Sequence, residues 1–185
     1  MDDLYIKKVL KGDTDAFRYF VRQYKDMAFT ISMSVVKNEF TATEVVQESF
    51  VKAFQNLKSF KGKSKFSTWF YRIVVNESIK TLRKKNEKYV DVESNLSIHP
   101  FDESLALTRL TAEERKYYIN EALNKLTANE SLVLRLFYLN ENNIGEICEM
   151  TGWSESKVKV SLHRARKNLE MILVKGLRGE IKTLI

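Results

Sequence analysis

Apolar residues recur three and four positions apart along nearly the whole chain, and this regularity restricts what the chain can fold into. Leu4, Tyr5 and Val9 open the pattern. After a break at Gly12 to Asp15 it resumes with Phe17, Phe20, Val21 and Tyr24, then Phe29, Ile31, Val35 and Val36. That period belongs to helices showing one side to a core. Six Gly and a single Pro are too few turn formers for a protein of many short strands. The expectation is an all-α protein.

A further helix is expected from about Thr41 to Leu57, its apolar stripe being Val46, Phe50, Ala53 or Phe54, and Leu57. The segment SFKGKSK, Ser59 to Lys65, interrupts the pattern with Gly62 and reads as a basic loop. A helix then begins near Ser67, with Ser67 or Thr68 as its N-cap, and fades after Lys85. Residues 89–114 carry six carboxylates against Arg109 alone, together with Pro100 and the polar run ESNLS. An acidic, weakly periodic stretch between two basic helical regions is most simply a connection. Helical spacing returns with Ile119, Leu123, Leu126, Val133, Leu134, Phe137 and Tyr138. Two helical domains are therefore expected, at 1–86 and 112–178, joined by a flexible acidic linker at 87–111 and followed by a tail at 179–185.

A formal charge of +7 points to an anionic partner such as nucleic acid, a membrane surface or an acidic protein. The lone Cys148 cannot form an internal disulfide, and no apolar run approaches the length of a spanning helix. A cytoplasmic location is expected, without stable membrane insertion. No nucleophile triad, phosphate-binding loop or metal cluster is legible, so neither enzymatic activity nor a cofactor or metal is expected.

The charge is concentrated. From Lys58 to Lys88 there are ten cations against Glu77 and Glu87, a local net of +8. Within this segment Trp69, Arg72, Asn76, Lys80 and Arg83, offset by 3, 7, 11 and 14, share one narrow arc of a helix. Tyr71, Val75, Ile79 and Leu82 form a second stripe, the natural core face. On one reading Trp69 packs under the basic loop and the cations are a solvated face. On the other, the ring is a stacking platform for an unpaired base while the cations hold phosphates, each stacked base contributing roughly 1 to 3 kcal/mol.

A second such region lies between Asn143 and Leu173. Ile144, Ile147 and Cys148 would bury one side of a short helix, Gly152 allows a tight turn, and Ser154 is a suitable N-cap for the next helix. Val158, Leu162, Ala165 and Leu169 would form that helix's buried stripe. Lys157, Lys159, Val160, His163, Arg164, Arg166 and Lys167 are left outward. This is the arrangement of a helix-turn-helix whose second helix enters the major groove; the alternative is a basic surface helix in a bundle.

Four stretches together resemble the small, two-domain bacterial RNA polymerase sigma factors of the extracytoplasmic-function group. TATEVVQESFVKAF, Thr41 to Phe54, is similar to the family's polymerase-binding helix. FKGKSKFSTWFYRIVVNESIKTLRKK, Phe60 to Lys85, is similar to its promoter-melting and −10-reading segment. LTANESLVLRLFYLNENNIGEICEMTG and the following WSESKVKVSLHRARKNL resemble its −35-reading domain.

The resemblance implies that Glu44, Gln47, Glu48 and Val51 contact core RNA polymerase through the clamp helices of its largest subunit, the flap of the second-largest subunit being a further contact of the protein. It implies that the loop Lys61 to Lys65, with Lys61, Lys63, Ser64 and Lys65, cups a base flipped from the nontemplate strand, that Trp69, Arg72, Asn76 and Lys80 line the way to it, and that Phe66, Ser67, Arg83 and Lys84 belong to the same −10 and melting surface. Ser154, Ser156, Lys157, Lys159, Val160, His163, Arg164, Arg166 and Lys167 fall on the −35-contacting helix. An inhibitory anti-sigma protein is a further partner that the likeness implies. Two departures stand out. Thr41 and Glu44 replace the usual Asp pair of the polymerase-binding motif, and Val160 and Ser161 replace the common Ser-Arg of the recognition helix, which bears on promoter preference.

A response-regulator DNA-binding domain is the nearest rival for the C-terminal half, but its partner would be a doubly wound sheet. The N-terminal half reads as helices instead.

Overall fold

The computed structural model describes residues 1–85 and 111–183, with the backbone alone at Lys85 and at 176–183. The expected linker, 87–111, lies outside the described residues except for Thr111, and His99 lies outside them too. Every regular element among the described residues is helical. The α-helices are α1 (Asp2–Leu10), α2 (Arg18–Val36), α3 (Glu39–Gln55), α4 (Phe66–Lys85), α5 (Ala112–Lys125), α6 (Ala128–Leu134), α7 (Ile144–Thr151) and α8 (Glu155–Thr183). Single turns of 3₁₀ helix cover Thr14–Phe17 and Leu57–Ser59, and a π turn covers Arg135–Leu139. α8 passes through the boundary expected at 178, so residues 179–183 continue the helix instead of forming a tail.

The helix ends follow from local chemistry. α2 stops where Lys37 turns left-handed (φ 54°), and Asn38 then caps α3, its side-chain oxygen accepting from the Thr41 amide at 2.9 Å. Three of the four α-helix starts in the C-terminal half have a reciprocal cap: Thr111 with Glu114, Thr127 with Glu130, and Asn143 with Glu146. Such a cap satisfies two amides that the helix leaves unpaired, and removing one costs about 1 kcal/mol. α7 ends on Gly152 at φ 72°, a conformation that costs a side-chain-bearing residue about 1 to 2 kcal/mol. Ser154 then accepts from the Lys157 amide at 3.3 Å, in the N-cap position expected for α8. At α4 the expectation differs from the structure. The Trp69 amide bonds to the Lys65 carbonyl at 3.2 Å, so the helix starts at Phe66, while Thr68 is buried inside it instead of capping it.

α2, α3 and α4 pack on one another around aromatic rings. Phe70 stacks on Phe50 at 4.5 Å between ring centroids, and Phe66 lies 4.3 Å from Phe20. Each fully buried ring is worth roughly 1.5 to 3 kcal/mol in transfer energy. The helices also carry buried serines. Ser34, Ser49 and Ser78 donate to the carbonyls of Ile31, Val45 and Val74 in their own helices, so small hydroxyls can sit in a dry interface without an unmet donor. α1 is pinned by Asp2, whose carboxylate accepts from Tyr19 at 2.9 Å and Tyr24 at 2.6 Å. Burial, with that carboxylate next, pushes the Tyr24 hydroxyl far above the ordinary tyrosine range.

Two expected core stripes are shifted. On α3 the buried positions are Thr41, Ala42, Val45, Ser49, Phe50 and Ala53, whereas Phe54 is 39 % exposed. On α4 they are Phe66, Thr68, Phe70, Tyr71, Val74, Val75 and Ser78, with Ile79 and Leu82 only half-buried. Both helices are covered on two sides, and a stripe chosen for one partner misses the residues facing the second.

The C-terminal helices α5 to α8 form their own cluster around Leu132, Val133, Leu136, Ile147, Met150, Val158 and Leu162. The two bundles are not independent, however. α7 packs on α4, α6 packs on α2, and the apolar core runs continuously from one bundle into the other. Two polar contacts cross the same junction: Lys65 Nζ lies 2.7 Å from Glu146 Oε1, and Lys37 Nζ donates to the Leu123 carbonyl at 3.1 Å.

Candidate nucleic-acid interface

α4 turns its core residues inward and leaves a second edge bare. Arg72, Asn76, Lys80 and Arg83 are all exposed, in the arc expected from their spacing, and Lys84 is exposed beside them. Trp69 heads this edge and is half-buried, its ring 5.3 Å from Phe60 and 5.5 Å from Phe66. The indole is therefore fixed against the aromatic core beneath it while part of it meets solvent. It packs against the loop that carries Phe60, as one reading expects, and it keeps an accessible surface.

Lys61 and Lys63 stand exposed in that loop, which bends at Gly62 with φ 66°. Ser64 and Ser67 are half-buried at its end. Phe66 departs from its expected place among the strand-facing residues. It is only 3 % exposed and touches Phe20, Tyr24, Phe60, Trp69 and Phe70, because the helix begins two or three residues earlier than an N-cap at Ser67 or Thr68 would give. Its part is to carry the indole from below. Lys65 is also committed: its ammonium pairs with Glu146 and holds that carboxyl below the usual range.

The exposed edge of α4 does not face open solvent along its whole length. Asn76, Ile79, Lys80, Arg83 and Lys84 form one wall of a cleft of about 560 Å³, and Thr151 and Trp153 form the other.

On α3, Glu44, Gln47, Glu48 and Val51 are exposed as expected, and Phe40 joins them at 73 % exposure. Phe40, Glu44, Gln47, Val51 and Phe54 are offset by 4, 7, 11 and 14, so two phenylalanines bracket the acidic face. Neither ring was among the expected site residues, although the same spacing that aligned Glu44 with Val51 would have found both. Lys52 braces this helix, its ammonium 2.6 Å from Glu77 on α4 and 3.6 Å from Glu48, and the Glu77 contact raises its pKa.

α8 buries Val158, Leu162 and Ala165. Ser154, Ser156, Lys157, Lys159, Val160, His163, Arg164, Arg166 and Lys167 are exposed, Val160 at 51 %. Lys157 sits over the Trp153 ring at 4.7 Å, and Lys159 pairs with Glu155 at 2.6 Å. Arg166 points elsewhere than expected. Its Nε donates to the Tyr138 hydroxyl at 2.8 Å and its guanidinium lies 5.6 Å from the Phe137 ring, so it ties α8 to the π turn.

Two units thus present cations with a half-open ring and a capped, dry-backed basic helix. The first is suited to an unpaired strand and the second to a duplex groove. Among the described residues no helix is long and apolar enough to cross a membrane.

Comparison with known proteins agrees with this division. The family model for sigma-70 region 2 matches residues 20–88, and that for sigma-70 region 4 matches residues 116–169. The ECF RNA polymerase sigma factor SigW of Bacillus subtilis is 34% identical over 172 residues, covering 89% of this chain and 92% of its own. The RNA polymerase sigma factor YlaC of the same organism is 30% identical over 175 residues, 90% of this chain and 96% of its own. Among solved structures, CnrH in complex with the cytosolic domain of CnrY superimposes with a TM-score of 0.65 at 21% identity, covering 93% of this chain and 96% of that one. The sigma factor RpoE of Bartonella quintana, in complex with the anti-sigma factor NepR, gives 0.64 at 20% identity, covering 85% and 96%. The chain belongs to the ECF group of the sigma-70 family, the RNA polymerase sigma factors that direct transcription initiation to particular promoters.

Proposed function

We propose that the protein divides promoter reading between its two bundles. α8 docks in the −35 major groove, with Ser156, Lys157, Lys159, Val160, His163 and Arg164 toward the bases and backbone. The α4 edge holds the nontemplate strand at −10. There Trp69 stacks on an unstacked base, Arg72, Asn76, Lys80 and Arg83 grip the strand, and Lys61, Lys63 and Ser64 close the pocket around the flipped base.

Opening of the duplex needs no hydrolysis by this chain. A surface that binds the unpaired strand more tightly than the paired form shifts the equilibrium by that difference. The observation that carries the reading is the alignment of one half-open indole with four exposed polar or cationic side chains along a single edge of α4.

Core RNA polymerase would engage the α3 face through Glu44, Gln47, Glu48 and Val51 against its clamp helices, with Phe40 and Phe54 supplying apolar anchors, while the flap of the second-largest subunit meets the C-terminal bundle. The solved relative in complex with the anti-sigma factor NepR supports an anti-sigma protein as a second partner. The protein acts as a specificity subunit and not as an enzyme, in the cytoplasm where polymerase works.

The test is co-purification with core polymerase followed by run-off transcription and permanganate footprinting, comparing the natural protein with Trp69→Ala. Polymerase association should persist while reactivity at −10 is lost. Unchanged permanganate reactivity would refute the stripe's role.

A further inference from the structure

Where α1 meets α2, rings and cations come together a second time. Tyr5 and Tyr19 lie face to face, their centroids 4.0 Å apart and their planes 2° from parallel. Both rings are half-buried, and Asp2 holds the pair in place by accepting from the Tyr19 hydroxyl at 2.9 Å. The Lys8 ammonium stands 5.4 Å from the Tyr5 centroid, so the stack is a fixed floor beneath it. Lys11 follows on α1, and Arg22 stands one turn beyond Tyr19 on α2; all three cations are exposed. Three neighbouring carboxylates are engaged elsewhere, Asp2 with Tyr19 and Tyr24, Asp13 with the Ala16 amide and Asp15 with Arg18. Among the described residues no ion pair neutralises Lys8, Lys11 or Arg22.

A row of rings connects this cluster to the indole on α4. Tyr19 is 5.2 Å from Phe20, Phe20 is 4.3 Å from Phe66, and Phe66 is 5.5 Å from Trp69. With the tyrosine stack these make four links of at most 5.5 Å, so Tyr5 lies no more than about 22 Å from Trp69, a span of about six nucleotides at the roughly 3.4 Å spacing of a stacked strand. The chain leaves α4 at its Lys85 end toward the −35-reading bundle. That end is therefore upstream on a promoter, and the Trp69 end, with α1 beyond it, is downstream.

We infer that the seam between α1 and α2 holds the nontemplate strand just downstream of the −10 element, with Lys8, Lys11 and Arg22 gripping its phosphates. This rests on the assignment of the α4 edge to that strand. The three cations bind phosphate and read no base edge, so the grip is independent of sequence and extends the opened strand toward the start site.

The test uses holoenzyme reconstituted with the full chain and two forked promoters, double-stranded upstream and single-stranded from −10. One nontemplate overhang stops at the last −10 base, and the other continues toward the start site. Lys8→Ala combined with Arg22→Ala should weaken binding to the long overhang about 25-fold at about 0.1 M salt and lower the salt slope by about 1.4, each lost phosphate contact on a single strand scaling affinity by roughly the 0.7 power of salt. Binding to the short overhang should not change. Lys8→Arg combined with Arg22→Lys keeps both charges and should restore the long-overhang affinity, which separates loss of charge from loss of fold. An unchanged salt slope on the long overhang overturns the inference. So does an equal loss on both overhangs, which would set the cations against polymerase instead of DNA. The underlying assignment has its own control: Trp69→Ala should weaken both overhangs alike, and if it weakens neither, the α4 assignment falls, and the inference with it, whatever the α1 variants do.

Discussion

Replacing Phe66 by alanine separates the two roles that its position in the motif invites. Its ring is 3 % exposed and lies within 4.3 to 6.1 Å of five other aromatic rings, from Phe20 to Phe70. Truncation removes the buried area and leaves a cavity among groups that other contacts hold in place, for which Phe→Ala changes typically cost 3 to 5 kcal/mol. With a urea dependence of about 2.5 kcal/mol per molar, the midpoint falls by roughly 1 to 2 M. Equilibrium urea unfolding followed by far-ultraviolet circular dichroism measures it directly. Trp69→Ala gives the contrast, since the indole is half-exposed and, among the rings of the described residues, touches only Phe60 and Phe66. It should cost only about 1 to 2 kcal/mol of stability while abolishing promoter opening. A Phe66→Ala protein that loses under about 1 kcal/mol yet melts promoters as poorly as Trp69→Ala would refute the placement of Phe66 as a support.

Lys159→Ala and Arg164→Ala should each weaken −35 binding by about 1 to 3 kcal/mol with relaxed preference at one base pair, if a base contact is lost; a footprint on double-stranded promoter insensitive to both would remove α8 from the groove. Gly152→Ala places its methyl in open space, so backbone strain alone should destabilise by about 1 to 2 kcal/mol, and a urea midpoint unchanged from the natural protein would contradict the left-handed turn. Closure of the two bundles should depend on pH through Lys37. Its stem is exposed, but desolvation of the ammonium, with the Arg135 guanidinium beside it and Glu130 opposing, lowers its pKa from 10.5 to about 8 in the closed form. Below pH 8 the amine is charged in both forms and closing carries the full penalty; between 8 and 10.5 the closed form sheds its proton first, so closure strengthens as pH rises. The radius of gyration should shrink from pH 7.5 to 10, and Lys37→Met should abolish that dependence.

The helical class, the divided chain and the outward edge of α4 were legible because spacing alone determines which side chains share a face. The start of α4 was misplaced because Ser67 and Thr68 resemble caps, whereas the aromatic packing of Phe66 and Phe70 draws the helix two or three residues further back. The three reciprocal caps at Thr111, Thr127 and Asn143 were written in plain Thr or Asn to Glu spacings and could have fixed the starts of α5, α6 and α7. Arg166 could not have been removed from the groove-facing set by period, since only the fold brings Tyr138 and the π turn beneath it. The junction between the bundles was equally hidden: Lys65 and Glu146 are 81 positions apart, and nothing local to either foretells that they meet.

Val160 carries one last implication. Surrounded by lysine and arginine, its isopropyl group stands half in solvent on α8, without a donor or acceptor to offer a base edge. A side chain of that kind senses hydrocarbon, and the hydrocarbon in the major groove is the 5-methyl of thymine. With α8 seated in the groove, exchanging a thymine for uracil at the step beneath Val160 would alter the operator's appeal although every hydrogen-bonding atom stayed the same, and methylating a cytosine there would mimic the natural base.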